Sequence, residues 1–529
     1  MLQIVTFLGF TALVAIISYL KGRNKGETTS DGYFLGGRSL TGVVIAGSLL
    51  LTNISTEQIV GLNGAAFKDG ILVMAWETLA AIAMVITAIF LLPRYLKSGI
   101  TTIPQFLENR YDKVTKTITS GLFLSGYAII LLPIVLYSGA LAINTMFNVP
   151  ELLGVSKYLA LWITVWSLGI IGSIYAIFGG LKMVAVSDTI NAVGLLIGGL
   201  LIPAFGLLAV GNGSMTDGLS TLMTANPEKF TAIGSPESSI PFATIFTGMM
   251  LVQLFYWGTN QAIIQRALGA KNLKEGQKGL LLAAFIKILG PIIVVLPGII
   301  AYYMFSDTLI NADEAYPRLV KEVLPPALIG FFAAVLFGAI LSSFNSALNS
   351  SVTLFGIDIY GEYIKKDATE KELVASGKKF GIGLAIVSMS IAPLLIYASE
   401  GLFGYLQEVN GIYSIPILTI IVVGYLTKYV PAIAAKVGII SGSVLYLISQ
   451  FILKPYVVGA ADYPHYLHVM AILFVLNVLI MLIVGKLYPR EEPFKLEYTE
   501  KVDIKPWKFV SAVGISICVV VIGIYIYFT

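Results

Sequence analysis

Charge is what this chain has least of: 34 Lys+Arg and 30 Asp+Glu in 529 residues make it 12% charged, against 57% hydrophobic. Soluble domains carry roughly twice that charged share, about 25%. With a mean hydropathy of +0.86, too little polar surface remains to cover a soluble globule of this length, so an integral membrane protein is expected. The one cysteine, Cys518, excludes an internal disulfide and a thiolate metal cluster. His465 and His468 are the two histidines; i, i+3 spacing without a third ligand favours packing at the membrane surface over metal binding. HExxH, a Walker-type GxxxxGK[ST] and a strand-borne nucleophile elbow are all missing, which leaves an enzyme no residues to work with. The longest loops, 211–240, 305–325, 361–379 and 486–508, are shorter than ordinary domains. A single membrane domain over 1–529 is therefore expected, with a lipid bilayer and not a nucleic acid as its surroundings.

What is abundant is apolar run length. Runs of about 20 residues read as spans and give about 14: 1–20, 41–65, 70–93, 118–147, 158–178, 183–210, 241–265, 279–304, 326–360, 380–398, 402–427, 430–453, 465–485 and 509–528. The run at 326–360 is too long for one straight crossing. The first run lacks a basic leader and a small-residue cleavage site, so it reads as a retained helix. Basic residues sort by loop. One set of alternate loops collects 27 of the 34, including Arg23, Lys25, Arg94, Lys97, Arg110, Lys113, Lys116 and Arg266. The opposite set holds Lys68, Lys157, Lys229, Arg318, Lys321 and Lys454, and Lys287 lies inside a span. Positive charge marks cytoplasmic loops, so an even number of spans with both termini outside the cell is expected, in the plasma membrane.

Two of these runs, 41–65 and 241–265, are interrupted midway by polar clusters, Thr52 to Gln58 and Gln253 with Tyr256 to Gln261. Backbone that leaves the helix inside a bilayer survives only where protein, water or a ligand replaces its lost hydrogen bonds. Each break opens a run of five spans, 41–210 and 241–427; because five is odd, the second run starts from the opposite face, the condition for an inverted repeat. Segments 1–40 and 428–529 then lie outside the repeat. Paired breaks of this kind point to a transporter's binding site at the membrane midplane.

Four ionisable side chains fall within apolar runs: Glu57, Glu77, Asp188 and Lys287. Charge at that depth costs at least about 2.5–3.5 kcal/mol, which makes each a functional candidate. Lys287 lies roughly 13 Å beyond the loop lysine Lys278 along a helix; it either pairs with Glu57 or Glu77, or also touches a solute. Glu57, Gln58, Gln253, Asn260 and Gln261 offer carboxylate and amide groups that match sugar hydroxyls as donors and acceptors. Tyr256 and Trp257 add an aromatic face for a pyranose, or simply pack. Ser342 and Ser343 can serve with free carbonyls as a hard-cation cage, or each can bond its own i−4 carbonyl.

The stretches Asp31 to Leu40, Asn53 to Gln58, Thr102 to Phe106, Gly179-Gly180-Leu181 with Asp188, Tyr256-Trp257 through Asn260-Gln261 to Gln265-Arg266, and Asp358-Ile359-Tyr360 together resemble the sodium/solute symporter family. Within it, the chain is similar to bacterial sodium/glucose and sodium/galactose cotransporters. The resemblance implies an all-α membrane protein with a leucine-transporter-type core of two inverted five-helix repeats, coupling sodium influx to monosaccharide uptake by alternating access. It implies a sodium site formed by the carbonyls of Leu51, Ile54 and Ala339 and the hydroxyls of Ser342 and Ser343, with Asp188 on the sodium exit path. It implies a sugar site of Gln58, Glu77, Lys287 and Gln407, with Tyr256 as the inner gate, Asn260 supporting that tyrosine, and an outer gate at Leu62, Trp76 and Phe403. Gln253 stands where the galactose-type pattern has Asn, and Ala80 where it has Ser, so the hydrogen bonding that selects the sugar is reshaped. The rival readings are a sodium symporter for another small solute (an amino acid, a carboxylated sugar or a polyol) and an uncoupled sugar uniporter or sensor.

Overall fold

The computed structural model describes residues 2–22, 29–397, 402–459 and 462–529; the expected basic residues Arg23 and Lys25 lie outside them. Helices make up the architecture, and among the described residues the β pairing is one isolated bridge, Leu40 to Ala270. Helices follow from the solvent, since they alone satisfy every backbone group within one segment. Among the described residues ten helices are long and apolar enough to cross a membrane, or up to twelve if each of two bent pairs is one span. The shortfall from about 14 is local. Leu2–Ser18 and Gly42–Asn53 are apolar but short, and the latter is half of the first broken segment.

That segment breaks where its sequence indicates. Gly42–Asn53 ends at Ile54 (φ −79°, ψ 65°), Ser55 is extended, and a new helix runs over Thr56–Asp69. In the second, Gly248–Gly258 gives way through Thr259 and Asn260 to Gln261–Leu268, with a bend of 47° between Phe242–Gly258 and Gln261–Leu268. A third break was not expected: the run 279–304 bends by 51° between Leu273–Lys287 and Gly290–Phe305. Gly290-Pro291 explains it, because proline removes a donor and clashes with the preceding turn.

The long run at 326–360 is one helix, Pro326–Thr353, continuing as a wider-turn helix to Ile364. It forms the centre of the molecule, 78% buried over its most apolar window, whereas Val510–Tyr527 is 17% buried there and faces the lipid rim. Gly42–Asn53 packs against Lys157–Val210, Leu273–Lys287 and Pro326–Thr353. Gly47 permits the first of these contacts, since a Cβ there would lie 2.8 Å from the Cα of Thr189.

Three residues of the expected basic loops are instead buried. Arg110 donates to the carbonyls of Gly424 (2.7 Å), Val430 and Thr427 (both 3.1 Å). Lys116 pairs with Glu108 at 2.7 Å and Glu362 at 3.2 Å, and Arg266 is fully enclosed. The positive-inside pattern counts charges by loop and does not distinguish a solvated cation from one that ties helix ends together.

Candidate functional site

The two breaks face each other across a cavity of about 50 Å³. Asn53, Glu57 and Gln58 line it from the first, Gln253, Tyr256, Trp257 and Asn260 from the second, and Gln407 and Asn410 from the helix Leu402–Leu426. Its volume is well below the ~300–1,000 Å³ of ordinary ligand clefts, so side chains fill much of the site in this conformation.

A chain of hydrogen bonds runs from the first break into the wall. Asn53 Nδ2 donates to Gln58 Oε1 at 2.9 Å, and Gln58 Nε2 donates to Glu77 Oε1 at 2.5 Å. Lys287 Nζ meets both oxygens of Glu77, at 2.7 and 2.6 Å. Of the two partners open to Lys287, Glu77 has it. Neither residue has exposed surface or lines the cavity; the pair sits behind the wall, and Gln58 stands between it and the cavity. Gly290 makes this possible, because a Cβ there would come within 2.9 Å of the Glu77 Cγ.

The second break is closed by protein. Gln253 donates to the Trp76 carbonyl (2.8 Å) and accepts from the Trp257 indole (3.1 Å). Thr259 Oγ1 donates to the Phe255 carbonyl at 2.9 Å. Asn260 Oδ1, the expected support of Tyr256, accepts from the Tyr127 hydroxyl at 2.7 Å and from the Ala262 N–H at 3.0 Å, capping the helix Gln261–Leu268. Gln261 and Gln265 likewise find partners, on Ile103 and Thr101, and on Phe34 and Ser350.

Next to the cavity lies a larger cleft of about 380 Å³, lined among others by Lys68, Asp69, Asp313, Glu408 and His465. Trp76 and Phe403 line both spaces and meet edge to face, ring centroids 5.2 Å apart, as a partition between them. Leu62, the third expected gating residue, is buried and touches neither space. His465 caps the helix Tyr466–Leu487 with its Nδ1 accepting from the Leu467 N–H (3.3 Å). No group of three metal-ligating side chains occurs among the described residues.

Below the first break, the helix ladder ends with Ile54 N–H on the Leu50 carbonyl (2.7 Å), leaving the carbonyls beyond it outside the ladder. Ser343 Oγ does not bond its own helix; it crosses to the Thr52 carbonyl at 3.0 Å. Thr52 Oγ1 lies 3.5 Å from Ser342 Oγ and 3.0 Å from Ser346 Oγ. Leu51, Ile54, Ala339, Ser342 and Ser343 are all buried along this seam between the two helices. Asp188 Oδ2 accepts from Ser48 Oγ at 2.6 Å, and Arg266 reaches Ser48 (3.4 Å), Ser346 and the Ala262 carbonyl (2.5 Å). Sequence reasoning missed Ser48, Ser346 and Arg266 as part of this cluster. Arg266 directly follows the amide-rich break in sequence, a signal that loop assignment overrode. Asn410, one helical turn beyond Gln407 in the same apolar run, was also legible but not chosen.

Comparison with known proteins places the chain in a family. A model of the sodium:solute symporter family matches residues 33–442. The chain is 48% identical to the Escherichia coli (strain K12) symporter YidK over 524 residues, 99% of this chain and 90% of that protein. It is 34% identical to a sodium/glucose cotransporter of Vibrio parahaemolyticus, covering 85% of each, and 29% identical to the human sodium/myo-inositol cotransporter 2, covering 87% of this chain and 71% of that one. Among solved structures, a substrate-bound, outward-open Na+-coupled sialic acid symporter superposes with a TM-score of 0.77 at 20% identity, covering 93% of this chain and 99% of that one. The nucleobase-cation-symport-1 transporter Mhp1 in a closed conformation gives 0.56 at 15% identity, covering 88% and 97%. At these identities the last two speak to the fold.

Proposed function

Because the chain belongs to the sodium:solute symporter family and is a membrane transporter that couples sodium to a small solute, we propose that its solute is a monosaccharide. The observation that carries this reading is the uncharged-amide lining of the cavity, with Gln58, Gln253, Gln407 and Asn410 beside Tyr256 and Trp76. Amides match hydroxyls as donors and acceptors, and aromatic rings match the C–H faces of a sugar. Gln58 is the contact we assign to the sugar first, and it transmits that contact to the Glu77–Lys287 pair behind it. Sodium binds, in this reading, to the Leu51, Ile54 and Ala339 carbonyls with Ser342 and Ser343, holding Gly42–Asn53 against Pro326–Thr353; Asp188 lies on its way out. Trp76 and Phe403 form the outer gate and Tyr256 the inner one. The repeats are 41–210 and 241–427, and the protein resides in the plasma membrane with both termini outside.

One sodium ion falling through ~100 mV releases ~2.3 kcal/mol, and each tenfold sodium gradient adds ~1.4 kcal/mol. Together these sustain a several-hundredfold sugar gradient, so a single sodium site suffices. Uptake of radiolabelled glucose and galactose into proteoliposomes tests the proposal, with an inward sodium gradient set against equal choline. Sodium-driven accumulation above equilibrium is expected. Sodium flux without sugar entry would refute the sugar, and sodium-indifferent entry would refute the coupling.

A further inference from the structure

The cluster beside the sodium seam holds a cation to which the readings above give no task. Arg266 has no exposed surface, and the three oxygens that meet its guanidinium, on Ser48, Ser346 and Ala262, are all neutral. A guanidinium stays charged inside a protein, and a buried charge without a counter-charge is strongly destabilising. The acid in its field is Asp188, itself only 2% exposed. Ser48 stands between the two. It donates its single proton to Asp188 Oδ2 at 2.6 Å and turns a lone pair to Arg266 Nε at 3.4 Å. Neutrality is thus met through one hydroxyl, unlike the Glu77–Lys287 pair, which is closed in direct contact at 2.6 Å.

The same residues reach the seam. Arg266 Nη2 donates to Ser346 Oγ, whose remaining proton faces Thr52 Oγ1 at 3.0 Å, and Thr52 Oγ1 lies 3.5 Å from Ser342 Oγ. Ser48 is about one helical turn before Thr52, and Ser346 one turn after Ser342. The cluster therefore lies on the side of the seam that leads to the basic segments at Arg38 and Lys271. A sodium ion leaving that way passes a carboxylate that attracts it and a guanidinium that repels it. Both forces are strong in a low dielectric, so sodium and Arg266 compete for one negative charge. We infer that Arg266 is a positioning residue for sodium release: it is the resident counter-cation of Asp188 in the sodium-free protein, and it weakens the hold of Asp188 on the ion. This inference rests on the sodium seam proposed above and makes no use of the solute's identity.

The test is equilibrium binding and dissociation of radiolabelled sodium, with full-length protein in detergent and no solute present. Wild type, Arg266→Gln, Arg266→Lys and the double variant Arg266→Gln/Asp188→Asn are compared at about pH 8, where carboxylates are ionised. Arg266→Gln leaves Asp188 without its counter-cation, so the Kd for sodium falls ~10–100-fold and dissociation slows by a similar factor, as expected when one nearby like charge is removed at this depth. Arg266→Lys keeps a cation and stays nearer to wild type than to Arg266→Gln. The double variant has neither charge, and its Kd returns to within ~3-fold of wild type, the coupling that a double-mutant cycle reads. An arginine that only holds the fold would instead lower the thermal midpoint and sodium binding together, and the second substitution would restore neither. A Kd unchanged or raised in Arg266→Gln, with the sodium-free thermal midpoint kept, overturns the inference. If Arg266→Gln does not fold, Asp188→Asn alone decides: the guanidinium is then unbalanced beside the path, the Kd rises at least ~10-fold, and an unchanged Kd overturns the inference. Wild type without saturable sodium binding removes the seam and this inference with it, whereas a seam that binds sodium regardless of Arg266 removes this inference alone.

Discussion

The two broken helices are built to opposite plans. Around the second, the amide side chains are met by protein: Gln253 by Trp76 and Trp257, Asn260 by Tyr127 and Ala262, Gln261 by Ile103. Around the first, Asn53, Ser55, Thr56 and Glu57 each keep an unmatched buried atom, while Thr52 is tied to Ser346 and Gln58 to Asn53 and Glu77. Both breaks cost backbone hydrogen bonds in a medium that does not replace them. The second has its amides held by protein neighbours, and the first keeps buried side-chain atoms open beside the same cavity. A substitution in the closed break should therefore be felt first as lost stability, and one in the open break as lost binding.

The largest effect is expected where the open break is anchored to the rest of the molecule. Lys287→Met leaves Glu77 as a fully buried carboxylate with its cation gone, which costs ~3–5 kcal/mol. The measurement is the thermal midpoint in detergent, which should fall steeply. The double variant Glu77→Gln/Lys287→Met, which has no buried charge left at the pair, should regain most of that stability while uptake stays lost. If the single variant is as stable as wild type, the pair is not the anchor and the contrast between the breaks weakens.

Next comes the closed break itself. Asn260→Ala removes the acceptor of the Tyr127 hydroxyl and of the Ala262 N–H, a helix cap worth ~1 kcal/mol plus a stranded buried donor worth ~1–3 kcal/mol. The midpoint should drop while the sodium concentration for half-maximal uptake stays unchanged in the folded fraction. A sodium shift without a stability loss would mean that the second break also takes part in holding the ion.

How much of this was legible in the sequence follows from the physics of each signal. Both breaks could be read, because polar clusters inside apolar runs are conspicuous when the solvent is lipid. The bend after Lys287 was missed because Gly290-Pro291 lies in a run whose hydropathy never dips, so composition alone masks a backbone event. Ser343 was ambiguous between bonding its own helix and reaching across, and only the fold supplies the Thr52 carbonyl 3.0 Å away. Lys287 had two candidate partners in sequence; the choice of Glu77 depends on the packing of Ala75–Ile86 on Leu273–Lys287. Arg266 was taken for a loop cation because the helix Gln261–Leu268 is short and polar, yet it is buried against Ser48 and Ser346.

A milder effect is expected where the open break meets the central helix. Ser343→Ala removes one hydroxyl from the seam and leaves the Thr52 carbonyl without that donor. If the seam holds sodium, half-saturation should rise about tenfold, ~1.4 kcal/mol, with the thermal midpoint in sodium-free buffer little changed. Uptake titrated against sodium measures this, and an unaltered titration would remove Ser343 from the ion's ligands.

The smallest effect is the most discriminating. Thr56 is buried and its Oγ1 bonds to no protein group, so Thr56→Val replaces a hydroxyl with a methyl of nearly the same shape and breaks nothing in the protein. An orphan hydroxyl costs stability, so without cargo the variant should be as stable as wild type within ~0.5 kcal/mol, or slightly more stable. The comparable change in the closed break, Thr259→Val, strips a bond to the Phe255 carbonyl and should cost ~0.5–1.5 kcal/mol. Thermal midpoints of the two variants, measured in the same sodium-free and solute-free buffer, therefore set one threonine against the other. Equal losses would mean that the open valences of the first break are met in solution by ordered water, and that the difference between the breaks lies in their hydration instead of their purpose.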